Sequence, residues 1–395
     1  MLKKATYCLL TSLIVAAVVF VITLIGCSPE QIQKTEQKIG NEKYFSENQT
    51  NVLECNSEFG FKLLKQLNNS KSVEENVFIS PLSISVALQT LLNGAESETY
   101  DEIVETLGFT NSIGEINQAY KNLLERFTVQ NSETIVRFSD SVCLNSGMAC
   151  KNEFLKTGKK VYGASFNLLG FLNTSYSKEM KTAIYSKNSA SFSSVWKNKF
   201  NTDEKINLNF EKINGEVRNI EFMTQKDNYH FYKDDLLSYV EIPYGSDSLF
   251  SMSIILPTIN RDVNQVISEL DNRYWNYIIS HRNYLNGQLI IPKFGFSYEA
   301  RLKHILKNLG INKMFSGNAR FKKIYDQNIF IDQIVHNSSI EINEKGLKSS
   351  EVSAFEMIKY SVGSAFYLIA NRPFLVLIKE NLSNEVLFVG KLVNP

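Results

Sequence analysis

Residues 336–346 read His336-Asn337-Ser338-Ser339-Ile340-Glu341-Ile342-Asn343-Glu344-Lys345-Gly346, and the next strand-like run is Phe366-Tyr367-Leu368-Ile369-Ala370. Between them, from Glu344 to about Phe366, the chain has no stable apolar period. Long structureless connections inside a compact domain are uncommon and usually functional. Gly346, near the base of this one, offers a hinge.

Outward from that segment, short apolar runs bounded by turn residues predict strands. They are Phe374 to Ile378 and Val386 to Gly390 downstream, and Thr134 to Phe138, Val240 to Pro243, Leu249 to Leu256 and Gly287 to Pro292 upstream. The region from about 56 to 128 is helical in pattern. Phe59, Leu63, Leu64 and Leu67 fall at helical spacing, Pro81 opens an apolar run, and Thr99 to Leu107 stops at Gly108. Helices first and then mostly strands, with no repeat and no second linker after residue 52, predict one α+β domain.

Lys and Arg number 42 against 41 Asp and Glu, a net charge of +1, so the concentrated positive charge that nucleic-acid binding requires is lacking. His230, His281, His304 and His336 are scattered without a second ligand at metal-site spacing, and neither a metal nor a cofactor is expected. No G-x-S-x-G elbow and no Gly-rich phosphate loop occurs, which argues against an enzyme.

The first 27 residues stand apart. Lys3 and Lys4 precede an apolar run from Leu9 to Ile25, ending Leu24-Ile25-Gly26-Cys27. These are the parts of an export signal, and the last four residues resemble the lipobox of bacterial lipoproteins, with Cys27 as the lipidated residue. An uncleaved anchor helix is the other reading, since the run is just long enough to span a bilayer. Either places the remainder outside the cytoplasm. Residues 28–55 read as a flexible polar tether, leaving 56–395 as the domain. Cys143 and Cys150 flank a plausible turn and are either a short disulfide or two half-buried thiols.

Six segments then carry a specific resemblance. They are Asn76-Val77-Phe78-Ile79-Ser80-Pro81-Leu82-Ser83-Ile84, Asn93 to Thr99, and the spaced set Asn188, Phe192, Trp196 and Phe200. Next come Glu241-Ile242-Pro243-Tyr244 with Ser251 to Pro257, then His336 with Ile340 to Gly346. The last is Asn371-Arg372-Pro373-Phe374 with Leu387 to Lys391 and Asn394-Pro395. In this order the sequence resembles the serpin family from about residue 56 to the C-terminus.

The resemblance implies three β-sheets with surrounding helices and an exposed reactive-centre loop that mimics a protease substrate. After cleavage and acylation the loop inserts into the main sheet and distorts the captured protease. Ser80, Ser83, Asn188 and His336 would form a polar shutter beneath the point where the central strands part. Glu344, Gly346, Leu347, Ser349, Glu351 and Ser353 would form the hinge. Counting the family's spacing from Glu344 sets the scissile bond at Tyr360–Ser361, bait for a chymotrypsin-like serine protease. A register slip of one makes Lys359 the bait for trypsin-like enzymes. A monomer anchored to the membrane at Cys27 is expected.

Two departures from the family pattern stand out. Phe171 and Asn188 bracket too little chain for the helix that crosses the main sheet, and the tryptophan-based closure at the top of the sheet is read as absent. With period-two alternation, Leu347, Ser349, Glu351 and Ser353 would turn inward on insertion. Leu347 replaces a small hydroxyl residue, and Glu351 is a carboxylate entering a core. Two functions therefore stay open: a suicide inhibitor, or a non-inhibitory surface module whose loop is cleaved as an ordinary substrate.

Overall fold

The computed structural model describes residues 44–70, 74–145, 148–169, 183–201, 206–344, 346 and 365–395. The chain divides into two compact units, residues 1–50 and 51–395. The described part of the first ends in the opening of helix α1, Glu47–Ser70. Ser46 caps that helix: its amide donates to Gln49 Oε1 at 2.8 Å, and the Gln49 amide donates to Ser46 Oγ at 3.3 Å. The tether expected through residue 55 is corrected here, because residues 47–55 are already helix. Cys27 lies outside the described residues.

In the second unit α1 buries Val52, Phe59, Leu63, Leu64 and Leu67, a face three or four residues apart. After it come β1 (Val77–Ile79), α2 (Pro81–Leu92), α3 (Ser97–Leu107), α4 (Ile113–Phe127), β2 (Thr134–Asn145), α5 (Asn152–Tyr162), β3 (Ser165–Leu169) and β4 (Ala183–Ser194). Then follow β5 (Ile206–Glu211), β6 (Val217–Lys233), β7 (Leu237–Tyr244), β8 (Phe250–Pro257), α6 (Val263–Glu269) and α7 (Asn272–His281). The chain closes with β9 (Asn283–Pro292), β10 (Phe294–Arg301), α8 (Lys303–Asn308), β11 (Phe330–Ile342), β12 (Phe366–Ile369), β13 (Phe374–Glu380) and β14 (Val386–Leu392). Helices α5 to α8 interrupt the region expected to be mostly strand. Two of them carry side-chain caps, Asp262 with Gln265 on α6 and Asp271 on α7.

The strands form two hydrogen-bonded sheets among the described residues. One has five strands in the order β10-β11-β4-β2-β3; the other has nine, ordered β1-β14-β13-β8-β7-β6-β9-β12 with β5 also on β6. The count of three sheets becomes two because β6 is shared: it pairs with β5 and β9 over most of its length and with β7 at Phe231, Tyr232 and Lys233. β8, β13 and β14 are buried at every position, as strands covered on both faces must be.

The core sits between the sheets around α2. Ser80 caps this helix, Pro81 fills its first turn, and all twelve of its residues are buried. It lies against β2 and β4 of the five-stranded sheet and β14 of the other. Phe192 of β4 meets Tyr244, Phe250 and Phe388 across the same core. Cys143 and Cys150 are free thiols.

Candidate functional site

The four polar residues expected under the sheet come together. His336 on β11 is opposite Asn188 on β4 in a parallel pairing that ends at Ser338 and Ala190. The Ser80 amide donates to His336 Nε2 at 3.0 Å, so that nitrogen is an acceptor and Nδ1 carries the hydrogen it gives to Asn188 Oδ1 at 2.6 Å. Asn188 Nδ2 donates to the Ser83 carbonyl (2.7 Å), Ser83 Oγ to the Ser189 carbonyl (3.3 Å), and the Ser83 amide to Ser80 Oγ (3.3 Å). Three of these links tie the first turn of α2 to β4 or β11, one joins β11 to β4, and one closes the turn on itself. His336 is fully buried, which pushes its pKa down to about 3 and keeps the ring neutral.

A fifth polar residue shares this row and was missed in the sequence. Asp140 on β2 is opposite Asn188 and only 2% exposed. Its Oδ1 accepts from Ser186 Oγ at 3.3 Å, while its Oδ2 has no partner. Burial raises this carboxyl to about 6 against the hydrogen bonds that lower it. The signal that could have found it is the alternation Val136, Phe138, Asp140, Val142, Leu144, which puts the carboxylate on the apolar face of the strand.

Beyond Ser338 and Ala190 the two central strands are no longer paired with each other. β11 continues beside β10 to Ile342, and β4 continues beside β2 to Ser194. The end of this gap is bridged. Trp196 Nε1 donates to the Asn343 carbonyl at 2.7 Å, the Phe200 amide donates to the Glu344 carbonyl at 3.3 Å, and Val195 pairs with Gly346. Trp196 stacks on Tyr244, with centroids 4.4 Å apart and planes at 9°. A tryptophan thus does close the end of the gap, Trp196 just past the end of β4; the connection after the crossing helix, where one was sought, lies outside the described residues.

Glu344 forms an ion pair with Lys293, which also pairs with Glu221. Burial alone would lower the Lys293 pKa, but the two carboxylates raise it. Gly346 has φ +108°, and a Cβ there would sit 2.3 Å from the Ser194 carbonyl oxygen and 2.7 Å from Val195 Cα. Both the backbone angle and the space demand glycine. Leu347, Ser349, Glu351, Ser353, Lys359, Tyr360 and Ser361 lie outside the described residues, as do residues 170–182, where the crossing helix was judged missing.

The chain reappears at the edge of the other sheet. β12 pairs with β9 in parallel, and Phe366 lies flat on Phe231, with centroids 4.0 Å apart and planes at 13°. Gly287 opposite leaves the room for its ring, since a Cβ there would be 2.2 Å from it. Residues 347–364 thus run from Gly346, at the open end of one sheet, to an edge strand of another.

Comparison with known proteins agrees with this architecture. The profile of the family described as "Serpin (serine protease inhibitor)" matches residues 54–187 and 177–395. Iripin-1 of Ixodes ricinus is 26% identical over 86% of this chain and 93% of its own length. Human Serpin I2 is 24% identical over 86% and 91%. Among solved structures, human thyroxine-binding globulin superposes with a TM-score of 0.79 at 22% identity, covering 88% of this chain and 99% of the globulin. The native state of the thermophilic serpin Tengpin gives 0.78 at 23%, covering 87% and 94%.

Proposed function

Because the chain belongs to the serpin family, protease inhibitors rather than enzymes, we propose that it traps serine proteases as a suicide substrate. The observation that carries this reading is the unpaired gap between β4 and β11, with Gly346 in a left-handed conformation at its mouth. The exposed sides of the two strands hold unpaired backbone groups, and one added strand would satisfy both rows at once. The chain that could supply it begins at Gly346.

The trap acts in three steps. A protease attacks the bond after Tyr360 and is held as the acyl-enzyme, releasing Ser361 as the new N-terminus. The freed segment folds back at Gly346 into the gap, parting β4 from β11 above the polar row. The protease is carried along and loses its catalytic geometry before water can release it. Tyr360 favours a chymotrypsin-like enzyme with a large apolar primary pocket; Lys359 would turn the bait toward trypsin-like enzymes.

Glu351 bears on whether the trap wins. Neutralising a carboxylate at pH 7 from its reference value costs about 4 kcal/mol. If insertion felt all of that, it would slow about a thousandfold. This favours the second reading, a surface module whose loop is cleaved without trapping. The full chain mixed with chymotrypsin and run on a denaturing gel separates the two. A covalent band at the summed mass, abolished by Tyr360→Asp, is the expected outcome. Clean cleavage near Tyr360 with no such band, in the wild type and in Glu351→Ala, would make the non-inhibitory module the better reading.

The chain is further proposed to act outside the cytoplasm as a monomer held to a membrane by lipid at Cys27.

A further inference from the structure

Asp140 and His336 lie two strands apart in one register row, Asp140–Asn188–His336. Residues opposite each other in a sheet share a face, and here that face is the dry layer against α2. His336 cannot hold a second proton in this arrangement, because its Nε2 accepts the Ser80 amide hydrogen. Asp140 has the opposite need. The hydroxyls of Thr90 and Ser186 and the Ser141 amide lower its pKa, but burial outweighs them, and the Thr90 hydroxyl is itself committed to the Val86 carbonyl at 3.0 Å. Oδ2 is left without a donor, which a buried carboxylate would need.

The groups around the pair are all uncharged. Toward Asp140, β4 presents Ser186 and Asn188, α2 presents Thr90, and Ser165 of β3 donates to the Asp140 carbonyl at 3.2 Å. Toward His336 lie Ser80 and Asn188, with Ala300 of β10 in register. Among the described residues no charged side chain faces either group, and burial is the leading cause of both shifts.

The geometry points to a proton-compensated pair: as the sheet closes over this layer, Asp140 takes up the proton that its solvated form lacks and His336 gives up the one its solvated form carries. Each exchanges with water when the layer opens, so no direct transfer is required. In mildly acid solution the open state holds an ionised Asp140 and a charged His336. The closed state holds both neutral, with the same number of protons. Linkage then makes opening insensitive to pH, because the slope depends only on the difference in bound protons. Resting on the reading of the gap as the acceptor for residues 347–364, this pairing would keep the trap set in acid surroundings, where a lone buried histidine would release it.

The test is hydrogen exchange of the amides in residues 183–190 and 330–338 of the full chain from pH 4.5 to 7.5, corrected for intrinsic exchange. Wild-type protection is expected to vary by no more than about fivefold, while Asp140→Asn loses ~30-fold between pH 7.5 and 5, and His336→Gln loses ~10-fold in the other direction. The double variant should be flat again. An Asp140→Asn chain with the wild-type profile would overturn the pairing. Should either variant not fold, carbon NMR of wild type labelled at Asp Cγ and His Cε1 decides. One Asp still protonated and one His still neutral at pH 5 is expected; Asp and His residues all titrating at ordinary values would overturn it. Neither readout uses a protease, so a chain that fails to trap leaves the result standing, and a pH-sensitive sheet in a working inhibitor would remove the pairing alone.

Discussion

Gly346 is the residue where two independent demands meet: a left-handed backbone and a neighbour too close for any Cβ. Gly346→Ala is expected to break the pairing with Val195 and loosen the Trp196 contact, at a cost of about 1–3 kcal/mol. The measurement is a lowered unfolding midpoint together with a red shift of tryptophan emission as Trp196 becomes wetter. At this scale the sequence was legible where a polar residue stands in an apolar setting. Ser80, Ser83, Asn188 and His336 could be grouped by family spacing before any contact was known, and they do form one network. Asp140 was passed over because a lone carboxylate in a strand faces water far more often than a core, although the alternation of Val136, Phe138, Val142 and Leu144 puts it on the apolar face. Trp196 was named only as part of a spaced motif, with no role attached. Its indole reaches a carbonyl 147 positions away, a closure that only tertiary geometry reveals.

Strand β12 is four residues long and sits at a sheet edge, so its pairing with β9 cannot by itself hold it firmly. Phe366 supplies the rest, stacked on Phe231 and edge-on to Tyr229. Truncation of a buried Phe costs about 3–5 kcal/mol. Phe366→Ala is therefore expected to release β12: its amides and those of Gly287 to Ile290 should lose hydrogen-exchange protection, while β13 and β14 keep theirs. Unchanged protection of β12 would mean the backbone pairing suffices. Elements with strong local signals were readable, such as the capped, Pro-opened α2 and the wholly apolar β8, β13 and β14. The start of α1 was missed although Ser46 and Gln49 stand at capping-box spacing, because its first five residues, Glu47 to Asn51, are all polar and show no apolar period. β6 was missed because its burial pattern changes along its length as it passes from one set of partners to another. That same strand turns three sheets into two.

At the scale of the whole molecule, a net charge of +1 gives little long-range steering toward a charged partner, so in the proposed trap the local chemistry of residues 347–364 and the state of the main sheet would carry recognition and capture. If Cys27 is lipidated, Cys27→Ser should abolish fatty-acid labelling and move the protein from the membrane to the soluble fraction. Retention of both would point to the uncleaved anchor. The order of the motifs, closing at the C-terminus, made the overall fold readable; where the sheet opens was not, because an unpaired gap is a relation between strands whose facing residues, such as Asn188 and His336, are 148 positions apart in sequence. The central claim is that this gap accepts residues 347–364 as a strand. It is tested most directly by comparing thermal unfolding of the intact chain with that of the chain nicked within those residues by a protease it does not trap. Insertion should raise the unfolding midpoint by on the order of 10 °C or more, since a new central strand adds several kcal/mol of burial and hydrogen bonding. An unchanged or lower midpoint after complete nicking would mean that the gap stays empty and that the chain is no trap.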